Sequence, residues 1–226
     1  MLGACIKKVL SVLLIAAVLL SVLTLSSCDR KYDEDEVLEN AEKLLRTAEI
    51  LNEVYYGRGI SYIHTSYQDG YYYEADPIHL ATLGFSTIDE LKRMTLATFT
   101  AGYANELFST KLNMIVDNDG VYEMARYFQR YDTENPEEPV CIMVYSKAKI
   151  VKKGSIVYDY SSLRVTGVKK QTVYVTVTAT VYDDDGNSQK TNIVLNLIEE
   201  DNGWRIDNPC YANYNSVKDR YDDLNK

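Results

Sequence analysis

The sequence predicts an α+β fold: amino-terminal helices packed on a curved antiparallel sheet, behind a short leader. Three observations carry this expectation. Apolar residues recur at three- and four-residue steps through the first half of the chain. They alternate with polar residues through the second half, most cleanly over Thr172–Tyr182. The change falls near residue 113, and neither a repeat nor a Pro/Gly/Ser-rich linker divides the chain.

The leader comes first. Lys7 and Lys8 precede an uncharged run from Val9 to Leu25. A basic start and an apolar run are the plan of a secretory signal peptide. The run is close to the lower limit of about 17–25 residues for a membrane span, so length alone does not separate the two readings. The following residues, Leu25-Ser26-Ser27-Cys28, resemble a lipobox, the signature of bacterial lipoproteins. That resemblance implies cleavage before Cys28, lipid on its thiol, and often a further acyl chain (palmitate among them) on the new amino terminus. Two chains anchor stably where one gives only marginal binding. The expected place is the outer face of the cytoplasmic membrane, with the outer membrane left open. Asp29 resembles an inner-membrane retention signal of enteric bacteria.

The expected organisation is then a signal peptide over 1–27, a lipidated anchor and tether over 28–36, and one α+β domain over 37–226. That domain is helical over 37–112, mainly β over 113–207, with an irregular or helical tail over 208–226. The tether Asp29–Glu36 reaches at most about 26–29 Å, so the domain works close to the bilayer. The leader holds two of the 24 basic residues and none of the 33 acidic ones, which leaves 22 against 33 and a charge of −11. Nucleic acid demands a basic face and is not an expected partner. Such a charge also argues against the domain lying on anionic lipid; it either favours a neutral or basic partner or simply keeps the protein soluble.

The elements follow in order. Val37, Ala41, Leu44, Leu45, Ala48, Leu51, Val54 and Tyr55 make one apolar face of a helix over about Asp35–Tyr56, with acidic residues at its start and Gly57 and Gly59 after its end. Ile60–Leu83 carries Tyr62, Tyr67, Tyr71, Tyr72 and Tyr73, with Gly70 between, and reads as an irregular loop or a hairpin. Ser86-Thr87-Ile88-Asp89-Glu90 has a capping-box pattern and predicts a helix to about Phe99. A second helix is expected over about Gly102–Leu112. Leu91, Met94, Leu96, Phe99, Tyr103, Leu107 and Phe108 supply their buried side.

Strands are expected over Met114–Val116, Val121–Phe128, Val140–Tyr145, Ser155–Val168, Thr172–Tyr182, Ser188–Ile198 and Trp204–Asp207. In the fifth of these, Val173, Val175, Val177, Ala179 and Val181 face one way, so only one face of the sheet need be dry. Glu134–Pro139 reads as a surface loop. Asp183-Asp184-Asp185-Gly186-Asn187 and Asp201-Asn202-Gly203 read as hairpin turns. The first lacks the loop length and terminal glutamate of a calcium-binding EF-hand.

Two family resemblances bear on function. The long hairpin strands ending in Gly203-Trp204-Arg205-Ile206-Asp207 resemble the nuclear-transport-factor-2-like (cystatin-like) superfamily over roughly Thr172–Asp207. That implies a cone of sheet around a pocket, a fold that serves enzymes, binding modules and scaffolds alike. Phe85-Ser86-Thr87-Ile88-Asp89-Glu90-Leu91-Lys92, Phe99-Thr100, Asp119-Gly120-Val121-Tyr122 and Arg126 resemble the IseA family, which inhibits cell-wall DL-endopeptidases.

Chemistry is sparse. His64 and His79 have no carboxylate at motif spacing, and no His/Cys/Asp cluster has metal-ligand spacing. No catalytic residue, metal or cofactor is expected. The chain has 20 tyrosines, which bring broad apolar faces with polar tips and suit binding surfaces. They either fill the rims of the fold or line a groove for a peptide, a glycan or an envelope protein. The candidate groove residues are Tyr62, Tyr67, Tyr71, Tyr72 and Tyr73, with Arg126 placed to pair with a carboxylate. Cys141 and Cys210 either form a disulfide across a long loop or are separate buried thiols. The expected function is a membrane-anchored, noncatalytic binding module. The alternatives are an IseA-like inhibitor of a wall hydrolase and a small-molecule lyase or isomerase on the cone.

Overall fold

The computed structural model describes residues 32–68, 71–113, 115–116, 122–151, 154–200 and 203–213. The chain divides into Met1–Tyr32 and Asp33–Lys226, and the second unit carries all the described elements. Four helices and ten strands lie among the described residues: α1 (Glu34–Tyr56), β1 (Tyr62–Gln68), β2 (Tyr72–Ala75), α2 (Pro77–Leu83), α3 (Ile88–Thr98), α4 (Ala101–Lys111), β3 (Ile115–Val116), β4 (Tyr122–Glu123), β5 (Tyr127–Tyr131), β6 (Pro139–Tyr145), β7 (Ser155–Lys169), β8 (Thr172–Tyr182), β9 (Ser188–Glu200) and β10 (Gly203–Ile206). The class is α+β. No described helix is long and apolar enough to cross a membrane.

Helix α1 begins inside the expected tether. Asp33 caps it by accepting from the amides of Asp35 (3.0 Å) and Glu36 (3.3 Å). Glu34, Asp35 and Glu36 form its first turn, where carboxylates favour the helix dipole. The apolar stripe is buried as expected, from Val37 to Tyr55, except that Leu44 is only half-buried. Asn52 shares this buried face. Its amide donates to the Cys210 thiol at 3.3 Å, which ties α1 to the end of the described chain.

The strands divide between two four-stranded antiparallel sheets, in the orders β1-β2-β6-β5 and β10-β9-β8-β7, with β3 and β4 paired separately. In the second sheet β8 is central, and Val173, Val175, Val177, Ala179 and Val181 are all buried. Leu195, Leu197 and Ile206 are buried on its neighbours. Helix α1 packs on this sheet through β7 and β10. Register shifts between Asp159 and Arg164 and between Val165 and Gly167 bend the outer strand β7. The first sheet grows from the tyrosine-rich segment, which is a hairpin followed by a helix. Helix α3 joins this sheet through β5.

Two local expectations change. On α3 the buried positions are Ile88, Leu91, Thr95 and Thr98, while Leu96 is 41% exposed. Thr95 is accommodated because its hydroxyl bonds the Leu91 carbonyl at 2.7 Å and meets the Tyr55 hydroxyl at 2.8 Å. The strand expected over Val121–Phe128 is broken before β5. The Arg126 amide donates to the Lys111 carbonyl at 2.7 Å, turning the chain toward the end of α4.

Candidate functional site

Among the described side chains, the expected tyrosine groove loses Tyr72. Successive strand residues point to opposite faces, so Tyr72 and Tyr73 on β2 cannot line one surface. Tyr73 stacks on Tyr62 with centroids 4.9 Å apart. Tyr72 is 7% exposed, packs edge-on against Phe128, and donates to the Ala125 carbonyl at 2.7 Å. Tyr71 precedes the strand and is 46% exposed. Tyr67 lies on β1 opposite Tyr73 in register.

Arg126 is a second correction. The residue is 6% exposed, and its guanidinium is committed to the protein itself. It donates to the Tyr55 carbonyl (2.9 Å), the Gly57 carbonyl (2.6 Å) and the Tyr127 hydroxyl (2.9 Å). The Tyr127 hydroxyl in turn donates to the Val54 carbonyl at 2.7 Å and accepts from the Ile60 amide at 3.2 Å. The last carbonyls of a helix lack partners within it. Arg126 and Tyr127 supply them for α1, where the dipole favours a cation.

The other single residues resolve in the same way. Cys141 and Cys210 are free thiols, not a disulfide. Burial pushes the Cys210 thiol up to about 12 and raises the half-buried Cys141 thiol above its ordinary value. Neither is a thiolate at neutral pH, which removes nucleophilic strength. His79 Nδ1 accepts from the Ser61 amide at 2.8 Å, fastening α2 to the start of β1. His64 lies on β1. The Asp183 carboxylate accepts from the Asn187 amide (2.7 Å), the Asp185 amide (3.1 Å) and the Asn187 side chain (2.8 Å). The turn thus engages both oxygens of Asp183. Among the described residues, no group of three or more His, Cys, Asp or Glu could hold a metal ion. Cys28 lies outside the described residues.

What the fold does assemble is an apolar cleft of about 550 Å³ between α2 and the ends of β2 and β6. Ala75, Leu80 and Phe85 form its buried wall, and Ala81 and Val140 stand at its mouth. Its carboxylates are both engaged. Glu74 pairs with Arg130 at 3.0 Å. Glu90 accepts from the Ser86 hydroxyl and amide, each at 2.7 Å, and the Ser86 hydroxyl leads in holding its carboxyl below the usual range. The cleft therefore offers an apolar floor and fixed polar edges, the composition of a binding site.

This cleft depends on α2, which the hairpin-or-loop reading missed. The signal was present: Asp76 caps the helix by accepting from the Ile78 amide at 2.9 Å, and Pro77 takes its first position. Gly84 closes it in the left-handed conformation (φ 84°). No known protein family, curated protein or solved structure matches the chain.

Proposed function

We propose that this chain is an exported lipoprotein, anchored through Cys28, whose domain is a noncatalytic binding module using the cleft between α2, β2 and β6. The anchoring rests on Leu25-Ser26-Ser27-Cys28 at the end of the apolar run. The binding reading rests on one observation: an open cleft of about 550 Å³ with an apolar wall, whose carboxylates are already paired or capping. Its occupant is an apolar side chain or short apolar segment of an envelope protein, peptide or glycan conjugate.

Anchoring is tested by Cys28→Ser. The variant should stay uncut and leave the detergent phase; a wild-type chain that is soluble and still carries residues 1–27 refutes it. Binding is tested by capture from envelope extract with the detergent-solubilised chain, against Ala81→Glu with Val140→Glu. Both positions are exposed, so the folded core is untouched. A partner retained by the parent and lost by the variant supports the cleft, and equal capture by both overturns it. If that partner is a wall hydrolase whose activity falls on binding, the IseA-like reading gains over a plain module.

A further inference from the structure

A second cleft, of about 390 Å³, lies where the end of α4 and the chain before β5 meet the chain after β6. Its lining includes Lys111, Arg126, Lys147 and Lys149, with Met124 and Tyr145. Four cations around one space are unexpected in a chain of net charge −9. No carboxylate occurs from Pro139 to Tyr158, and Lys147, Lys149, Lys152 and Lys153 all fall in that interval.

Part of this charge belongs to the fold. Arg126 caps α1, and Lys111 stands in the last turn of α4, where the helix dipole favours a cation. Lys147 and Lys149 have no helix end of their own and make no ion pair among the described residues. Both are exposed. The backbone nevertheless fixes where they stand. The Ser146 amide donates to the Tyr71 carbonyl at 2.9 Å, the Ala148 amide to the Tyr145 carbonyl at 3.2 Å, and the Val151 amide to the Tyr56 carbonyl at 2.8 Å. Lys147 also sits 4.4 Å over the Tyr71 ring, and Lys111 lies 5.3 Å over the Tyr56 ring. The backbone is therefore pinned on both sides of the two lysines, which sets both of them at the rim of this cleft.

We propose that this cleft binds a phosphate-bearing anion through Lys147 and Lys149, beside Lys111. Ammonium groups act on phosphate as point charges. Several of them around one space favour a multiply charged group over a single carboxylate. The chain's net charge of −9 repels anions at a distance, and the attraction of this cleft is screened by salt beyond about 10 Å at 0.1 M ionic strength. The phosphate is either the headgroup of an anionic lipid or that of a soluble ester.

The test is calorimetric titration of the full chain, held in zwitterionic detergent at low salt. The two probes are inorganic pyrophosphate and a short-chain phosphatidylglycerol. Lys147→Gln with Lys149→Gln should weaken binding about tenfold, near 1.4 kcal/mol. Lys169→Gln with Lys190→Gln removes the same charge from exposed strand positions elsewhere and should leave affinity unchanged. Binding of both probes assigns the site to phosphate as such. Binding of phosphatidylglycerol alone assigns it to lipid, and of pyrophosphate alone to a soluble ester. The proposal is overturned if neither probe binds the unmodified chain, if the Lys147/Lys149 change has no effect, or if both double variants lose affinity equally.

Discussion

Strand β8 buries Val173, Val175, Val177, Ala179 and Val181 and carries threonine and tyrosine on its other face, where only Thr176 is buried, while β6 buries the apolar run Ile142, Met143 and Val144. The first is the pattern of a sheet with one dry face. The second is that of a strand covered on both sides. The sheet of β7–β10 accordingly keeps half-buried hydroxyl groups on one face, and it meets α1 through β7 and β10 and α3 through β10. The sheet of β1, β2, β5 and β6 is met by α3 at β5, and the apolar cleft lies beside the ends of β2 and β6. A one-sided sheet stabilises the domain. A two-sided sheet leaves gaps where its neighbours fail to meet, and there a ligand can enter.

The contrast is sharpened by breaking each sheet at its own anchor. Arg126→Ala strips donors from the buried end of α1 and from Tyr127. It should cost about 4 kcal/mol by urea unfolding, because buried carbonyls are left unpaired. A loss below about 1 kcal/mol would mean that the two-sided sheet is not locked to α1 in this way. Leu195→Ala opens a cavity under the one-sided sheet and should cost about 3 kcal/mol. A smaller cost there would show that the dry face can collapse and is less tightly packed than its burial implies.

Alkaline pH tests the core that the sheets share. Burial raises the Cys210 thiol to about 12 and raises the hydroxyls of Tyr55, Tyr127 and Tyr158. The fold prefers all four groups neutral. Their stabilisation is fully present below the unfolded values, 9.0 for the thiol and 10.0 for the phenols, and is lost as pH rises toward the folded ones. The urea midpoint should be flat up to about pH 9 and then fall, by at most about 1.4 kcal/mol per pH unit for each group that ionises. A midpoint constant to about pH 11 would contradict this burial. The smallest effect belongs to Asp76→Ala, which removes the cap of α2. It should cost about 1 kcal/mol and loosen the wall of the apolar cleft. Faster amide exchange confined to Pro77–Leu83 would separate that loosening from a global loss.

Legibility followed the same divide. Strand β8 was readable to the residue, because one buried face writes a period of two into the sequence. Helices α1 and α3 were readable from their caps and stripes, though on α3 the threonines at Thr95 and Thr98 took the buried places that Leu96 was expected to share. The two-sided sheet was not readable as a unit. Ile142-Met143-Val144 carries no period, and nothing local in Tyr62–Tyr73 says which strand it will pair with. Arg126 was misread for a related reason. A charged residue near a strand suggests a ligand, but its partners are carbonyls 69 and 71 residues earlier in the chain. Helix α2 was legible in Asp76-Pro77 and Gly84; the density of tyrosine around it drew the reading toward a loop.

The partners of α1 have a consequence for the order in which the domain is made. Its end is completed by Arg126, and Asn52 reaches Cys210 across 158 residues. A chain leaves the ribosome amino end first, so the first helix waits for the last described residues before its buried face is covered. Until then it is an amphipathic helix without the packing from which helices draw most of their stability. Long-range closures of this kind slow folding. The first helix is thus among the last elements to gain its full set of partners.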